Sequence, residues 1–326
     1  MTEERQALPP ARVAVLGPGG VGGLIAALLA RRGDQVTCLA PPATAAHLAA
    51  SGLELRSPSL GDARVTVEAA TRLDHPVDVC FVTVKATQLA EAIEAVPAEA
   101  LGDGLVVPFL NGLDHVAWLR ERYPSDQVVA GTIRIESTRL GPGLIEHASP
   151  FAMVELAVGK TPRSRVEELA ARLAETGLDV TVRDDEAATL WSKLAVLAPI
   201  ALVTTWTAAP IGEARAGHWD ELVAVVAEIA AAARADGVEL DETATIGLVE
   251  RVPDAHAVLD AEGRRRRPAD RAGRHRRLGP AGRRTRRHRR PGHRPPGRRP
   301  AGPVRLAAAG PGHSHSMVPG GFEVMS

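Results

Sequence analysis

A glycine-rich turn set between an apolar strand and an apolar helix constrains this chain more than any other feature. Arg12–Leu16 (RVAVL) is short and rich in β-branched residues, and Gly17-Pro18-Gly19-Gly20-Val21-Gly22 follows at once. A helical run at Gly23–Arg32 and a second strand at Gln35–Leu39 complete a β-turn-α-turn-β unit. GxGxxG at the first turn of such a unit is the dinucleotide-binding fingerprint. Gly17 permits the tight turn, Gly19 lets the backbone approach a pyrophosphate, and Gly22 lets the helix pack on the strand. The helix N-terminus then offers unpaired N–H groups and a positive dipole end to the phosphates. The whole turn, Gly17, Pro18, Gly19, Gly20, Val21 and Gly22, is the candidate cofactor cradle.

Further strand-like runs lie at Arg64–Val67, Val77–Val84, Gly104–Pro108 and Gln127–Thr132. Their spacing predicts an α/β chain that opens with a Rossmann doubly wound, mostly parallel sheet carrying helices on both faces. Ligands of such sheets sit beyond the C-terminal strand ends. Two polar clusters fall there, Val84-Lys85-Ala86-Thr87-Gln88 and Asn111-Gly112-Leu113. Lys85 ends an apolar strand, so solvent or a ligand must meet its ammonium; a lysine snorkelling at a sheet edge accounts for the position equally well. An acid at the end of the second strand favours NAD, and an Arg there favours NADP. Leu39-Ala40-Pro41-Pro42 offers neither.

From Asp184 the pattern turns to long helices, Glu186–Ala198 and His218–Asp236. Leu190-Trp191-Ser192-Lys193-Leu194 places one lysine on a strongly apolar helix. Burial would lower its pKa and make it a better proton donor near neutrality, although such a lysine can also pack its stem and keep its ammonium in water. Leu194–Gly212 is uncharged and close to a membrane span in length, but Pro199 and Pro210 interrupt it, which reads as a buried helix and turn. Cys38 and Cys80 fall in apolar runs, as buried thiols of a reducing compartment do, and no CxxC or Cys/His cluster suggests a metal. The polar N-terminus lacks an apolar signal region, so the expected location is cytoplasmic.

The combination GPGGVG at 17–22, VTVKATQ at 82–88, FLNGLDH at 109–115 and LWSKLAV at 190–196 resembles the ketopantoate reductase (2-dehydropantoate 2-reductase) family, from about Arg12 to about Ala257. The resemblance implies a Rossmann domain over residues 1–183, followed by an all-helical domain of the 6-phosphogluconate dehydrogenase type, here incomplete, over 184–257. It implies reduction of ketopantoate to pantoate by NADPH, a step of pantothenate biosynthesis, with NAD left open by Pro41. Lys193 matches the family's catalytic proton donor. Asn111 matches a residue touching both nicotinamide and substrate. Lys85 and Ser137 match cofactor contacts. Leu197 and Ala201 stand where the family places two substrate-binding asparagines, so a different 2-keto acid is the alternative substrate. The implied partner is this small molecule, with no membrane or nucleic-acid partner expected.

Composition breaks after Ala257. From Arg264 onward there are 18 Arg against Asp270 and Glu323, so the chain's 39 basic and 39 acidic groups divide unevenly. Residues 1–263 carry a net charge of −16 and the remainder +16. The family resemblance implies a Ser-Ser-Met/Gln segment and a Thr-Glu-x-Asp motif here, and neither occurs. Codons permitted for Val258–Gly279, slid by one base, spell SSMQKDVAAG and then RPTELDAIAGSV. The absent motifs return in the right order, which favours an out-of-frame translation of residues 258–326. A basic nucleic-acid-binding tail and a natural disordered extension are the other readings, and a catalytically impaired dinucleotide binder is the functional alternative.

Overall fold

The computed structural model describes residues 8–254. β1 (Arg12–Leu16) leads through the glycine turn into α1 (Gly20–Arg32), and β2 (Gln35–Leu39) returns beside it. The chain continues through α2 (Pro42–Ser51), β3 (Leu53–Arg56), β4 (Ala63–Val65) and β5 (Glu68–Ala70) to β6 (Val79–Val82). Two single-turn helices, α3 (Leu89–Ala92) and α4 (Ala98–Leu101), precede β7 (Leu105–Pro108) and α5 (Asp114–Arg120).

The strands β5-β2-β1-β6-β7 form one parallel sheet. Its strand order reverses between β1 and β6, the point where doubly wound sheets open a crevice. Alternation along each strand builds two cores. Val13, Val15, Phe81 and Val107 face α1, with Leu24 and Leu28 above them. Ala14, Leu16, Cys80, Val82 and Val106 face the other way, against Ile93 and Leu119. Both cysteine thiols are buried and free, and burial pushes each pKa up to about 12, so they act as small apolar side chains.

The next segment is β8 (Gly131–Arg134), β9 (Ser137–Gly141), β10 (Leu144–His147), β11 (Met153–Ala157), α6 (Arg163–Ala174) and β12 (Asp179–Arg183). β11 pairs antiparallel with β8 and parallel with β12. A further sheet, β4-β3-β10-β9, lies apart from the parallel one. Two expected strands change accordingly. Arg64–Val67 is strand only as far as Val65, within β4, which pairs antiparallel with β3; β5, which joins the parallel sheet beside β2, begins beyond it at Glu68. In Gln127–Thr132 the regular ladder begins only at Gly131; upstream, Val128 makes a single parallel bridge to Val106 as the chain leaves one sheet for the other.

Four helices follow: α7 (Glu186–Thr207), α8 (Ile211–Gly217), α9 (Trp219–Ala235) and α10 (Glu242–Glu250). Asp185 caps α7 and Asp241 caps α10, each accepting from a backbone N–H three residues on at 2.9 Å. α7 runs past the expected end at Ala198, straight through Pro199. Ile200 and Val203 pack beyond the proline with Ile211, Ala214, Leu222 and Val249, and that burial outweighs one lost backbone bond. The expected burial of this stretch is only half met. Leu202 is 49% and Trp206 63% exposed. By length and composition α7 would also suit a membrane span. The break at Ala257, the Arg-rich tail and its out-of-frame reading lie outside the described residues.

Candidate active site

The glycine turn is held from below. Gly17 adopts φ +82°, donates its N–H to Leu39 O at 3.0 Å and accepts from Gly19 N at 2.7 Å. Thr83, just past β6, donates its hydroxyl to Leu16 O at 3.0 Å and Gly17 O at 2.8 Å. A Cβ on Gly22 would strike that hydroxyl and lie 2.5 Å from Gly17 O, so helix and turn meet there without room for a side chain. Gly19 is different, since a Cβ there would find its nearest atom, Gly17 O, at 3.9 Å. Its space opens outward, toward a ligand. α1 has no side-chain cap and no acid in its first turn, so its N–H groups and positive dipole end stay available to an anion. This cradle fits the pyrophosphate of a dinucleotide.

Pro18 is buried within the turn, while Gly20 and Val21 open the helix half-buried. Ser137 closes against them from the start of β9. Its hydroxyl donates to Gly20 O at 2.8 Å, and its carbonyl leaves no space for a Cβ on Gly20. Lys85 lies three residues beyond β6, half-buried, at the head of a single 3-10 turn, Ala86–Gln88. The apolar strand is therefore shorter than expected, and Lys85 belongs to the loop at the sheet's C-terminal edge.

The same edge holds a small cleft between the β7 exit loop and α7. Leu110, Asn111, Gly112, Thr132, Leu190, Lys193, Leu194 and Leu197 line it. Gly112 takes φ +95°, which turns the loop and leaves Asn111 exposed at its mouth. Lys193 Nζ donates a long hydrogen bond, 3.4 Å, to Leu110 O. Burial, with the Arg134 charge adding to it, lowers the Lys193 pKa to about 8. Leu197 supplies an apolar wall to the cleft, one turn past Lys193, whereas Ala201 is half-buried and outside the lining.

Two neighbours of Lys193 carry no signal in the sequence pattern. His115, 6% exposed on α5, is held neutral by burial and by the Lys193 charge, its pKa lowered to about 4. Its buried Nε2 has no hydrogen-bond partner among the described residues. Arg134 ends β8 and is bound by Glu155 of β11. The FLNGLDH motif contained His115 and pointed to nothing beyond Asn111, because only the packing of α7 brings Lys193 to it.

Residues 13–162 match the family model described as Ketopantoate reductase PanE/ApbA. The uncharacterized oxidoreductase YkpB of Bacillus subtilis is 30% identical over 235 residues, which span 70% of this chain and 76% of that protein. The chain belongs to the ketopantoate reductase family. Similarity extends to the 2-dehydropantoate 2-reductase of Halobacterium salinarum, 31% identical over 194 residues, 57% of this chain and 62% of the relative. The crystal structure of a PanE/ApbA family ketopantoate reductase from Ralstonia eutropha JMP134 superimposes with a TM-score of 0.67 at 29% identity, covering 76% of this chain and 83% of that one. The ketopantoate reductase family is one of oxidoreductases, and the parallel sheet followed by helices is the architecture this chain shares with that solved member.

Proposed function

We propose that this chain reduces a 2-keto acid with NADPH, and that the substrate is 2-dehydropantoate, giving pantoate in the cytoplasm. The observation that carries the reading is the meeting of Lys193 and Asn111 in one cleft at the C-terminal edge of the sheet, the edge that also holds the glycine turn. Residues 17–22, Lys85 and Ser137 would hold the dinucleotide, within a cofactor domain spanning 1–183, and residues 184–257 would bring the proton donor. A bound nicotinamide supplies the hydride that reduces the keto carbon.

Lys193 holds its proton at Nζ against the keto oxygen and releases it as negative charge develops there. A pKa near 8 matches that task at neutral pH, since the group is mostly protonated yet gives up its proton readily. Asn111 orients the keto acid and the nicotinamide through its side-chain amide. Leu110, Leu190, Leu194 and Leu197 keep water from the reacting carbonyl. Leu197, where an amide would recognise a substrate hydroxyl, supports a second reading in which a less hydroxylated 2-keto acid is preferred. Pro41, in place of a basic residue, makes NADH the alternative cofactor.

Oxidation of NADPH and NADH by the purified full chain, with ketopantoate beside a panel of 2-keto acids, tests these readings. Turnover that disappears in Lys193→Ala while cofactor binding persists is the expected outcome. Cofactor binding without turnover on any 2-keto acid would instead identify an impaired dinucleotide binder.

A further inference from the structure

β8 brings a second cation toward the cleft. Thr132, which lines it, and Arg134 stand two residues apart and project from the same face of the strand. Both are held by Glu155, which lies directly opposite Thr132 on the antiparallel neighbour β11. Glu155 Oε2 accepts from Thr132 Oγ1 at 3.1 Å and from Arg134 Nη1 at 2.5 Å. Its Oε1 accepts from Arg183 Nε and Nη2 at 2.9 and 2.6 Å. Burial opposes the charge on Glu155, yet Arg134 and Arg183 together hold its pKa below the usual carboxylate value.

Two guanidiniums on one carboxylate leave the cluster positive. α7 packs against β8 and adds the Lys193 ammonium within electrostatic range of Arg134. Among the described residues, the cleft lining contains no acid to balance these charges. Such a site favours a small anion. Glu155 grips Arg134 through Nη1, which fixes the plane of a guanidinium whose fork is suited to a carboxylate.

We propose that Arg134, oriented by Glu155, binds the carboxylate of the 2-keto acid while Lys193 faces the neighbouring keto oxygen. This inference rests on the reductase reading above. It gives the pocket a charge-based anchor that partly replaces the amides absent at Leu197 and Ala201. Recognition then centres on the 2-oxo-carboxylate group shared by all 2-keto acids, rather than on substrate hydroxyls.

Oxamate, a 2-keto acid mimic that is not reduced, provides a binding test independent of turnover. It is titrated by calorimetry into the full chain holding NADPH or NADH, with R134A and R134K beside the unaltered protein. Loss of a charge-assisted pair is expected to weaken oxamate roughly 10- to 100-fold in R134A, with a smaller loss in R134K. Dinucleotide affinity should not change. Undiminished oxamate affinity in R134A overturns the inference and leaves the reductase reading standing. Loss of dinucleotide affinity instead places Arg134 on the cofactor and overturns it as well. Failure of the unaltered, cofactor-loaded chain to bind oxamate overturns both. If R134A melts below the assay temperature, R134K alone decides, and full affinity there overturns the inference.

Discussion

Lys193 is the residue at which stability and chemistry oppose one another. Its pKa is about 8 in the fold, against about 10.4 for an unfolded lysine. Below pH 8 both states carry the proton and the fold bears the full cost of confining the charge. Between pH 8 and the unfolded value only the unfolded chain stays protonated, so the cost fades as pH rises. Lys193→Met should therefore stabilise the protein at pH 7 by about 3 kcal/mol in chemical denaturation while removing turnover. A destabilised variant would show that the contact with Leu110 outweighs the buried charge. Turnover itself should decline as pH rises through about 8, where the donor loses its proton. His115 acts at the acid end. Above pH 6.5 it is neutral in both states, and as pH falls toward 4 only the unfolded chain gains the proton. About 2 kcal/mol of stability should be lost between pH 7 and pH 5, and His115→Gln should flatten that slope. The motifs containing Lys193 and Asn111 were legible as sequence. His115 and Arg134 were not, because their significance depends on α7 and Glu155, which lie far along the chain.

At the scale of elements, the glycine turn separates two requirements that the fingerprint merges. Gly22→Ala forces a methyl into Thr83 and the Gly17 carbonyl, both fixed by the β1–β6 pairing, and should lower the melting temperature markedly, by an overpacking cost of about 1–3 kcal/mol. Gly19→Ala meets nothing within the protein closer than 3.9 Å. It should leave melting nearly unchanged and weaken dinucleotide binding, because the methyl occupies the space of the phosphates. Equal melting temperatures for the two variants would disprove this division. The turn was readable because its contacts are local. The strands after it were less so: β4 and β5 are short, carry Arg64 and Glu68, and follow closely on one another, yet they pair in different sheets, with β3 and with β2. Pro199 misled for a related reason. A local helix breaker was set against an apolar stripe whose partners in α8, α9 and α10 come later in the chain.

For the whole molecule, the cofactor cradle, the cleft and the proton donor all lie upstream of Ala257, while the family's Ser and Thr-Glu-x-Asp motifs would fall downstream. Leu202 and Trp206 are exposed on α7, the helix that also carries Lys193. On the out-of-frame reading, a chain with the slid frame restored from Val258 would keep the dinucleotide turn and regain the motifs that the family resemblance places at the substrate. It and the unaltered chain should bind NADPH or NADH with the same affinity, since no residue of the turn changes. The restored chain should show a KM for ketopantoate at least about 10-fold lower, because a polyhydroxylated acid regains polar partners whose absence costs a site strongly. It should also melt more cooperatively if the recovered segment packs on α7. Sequencing the gene across the codons before Val258 tests the origin of the difference, and an intact frame would remove the out-of-frame reading. Equal kinetics of the two chains would show that residues 8–254 already contain everything the reaction needs.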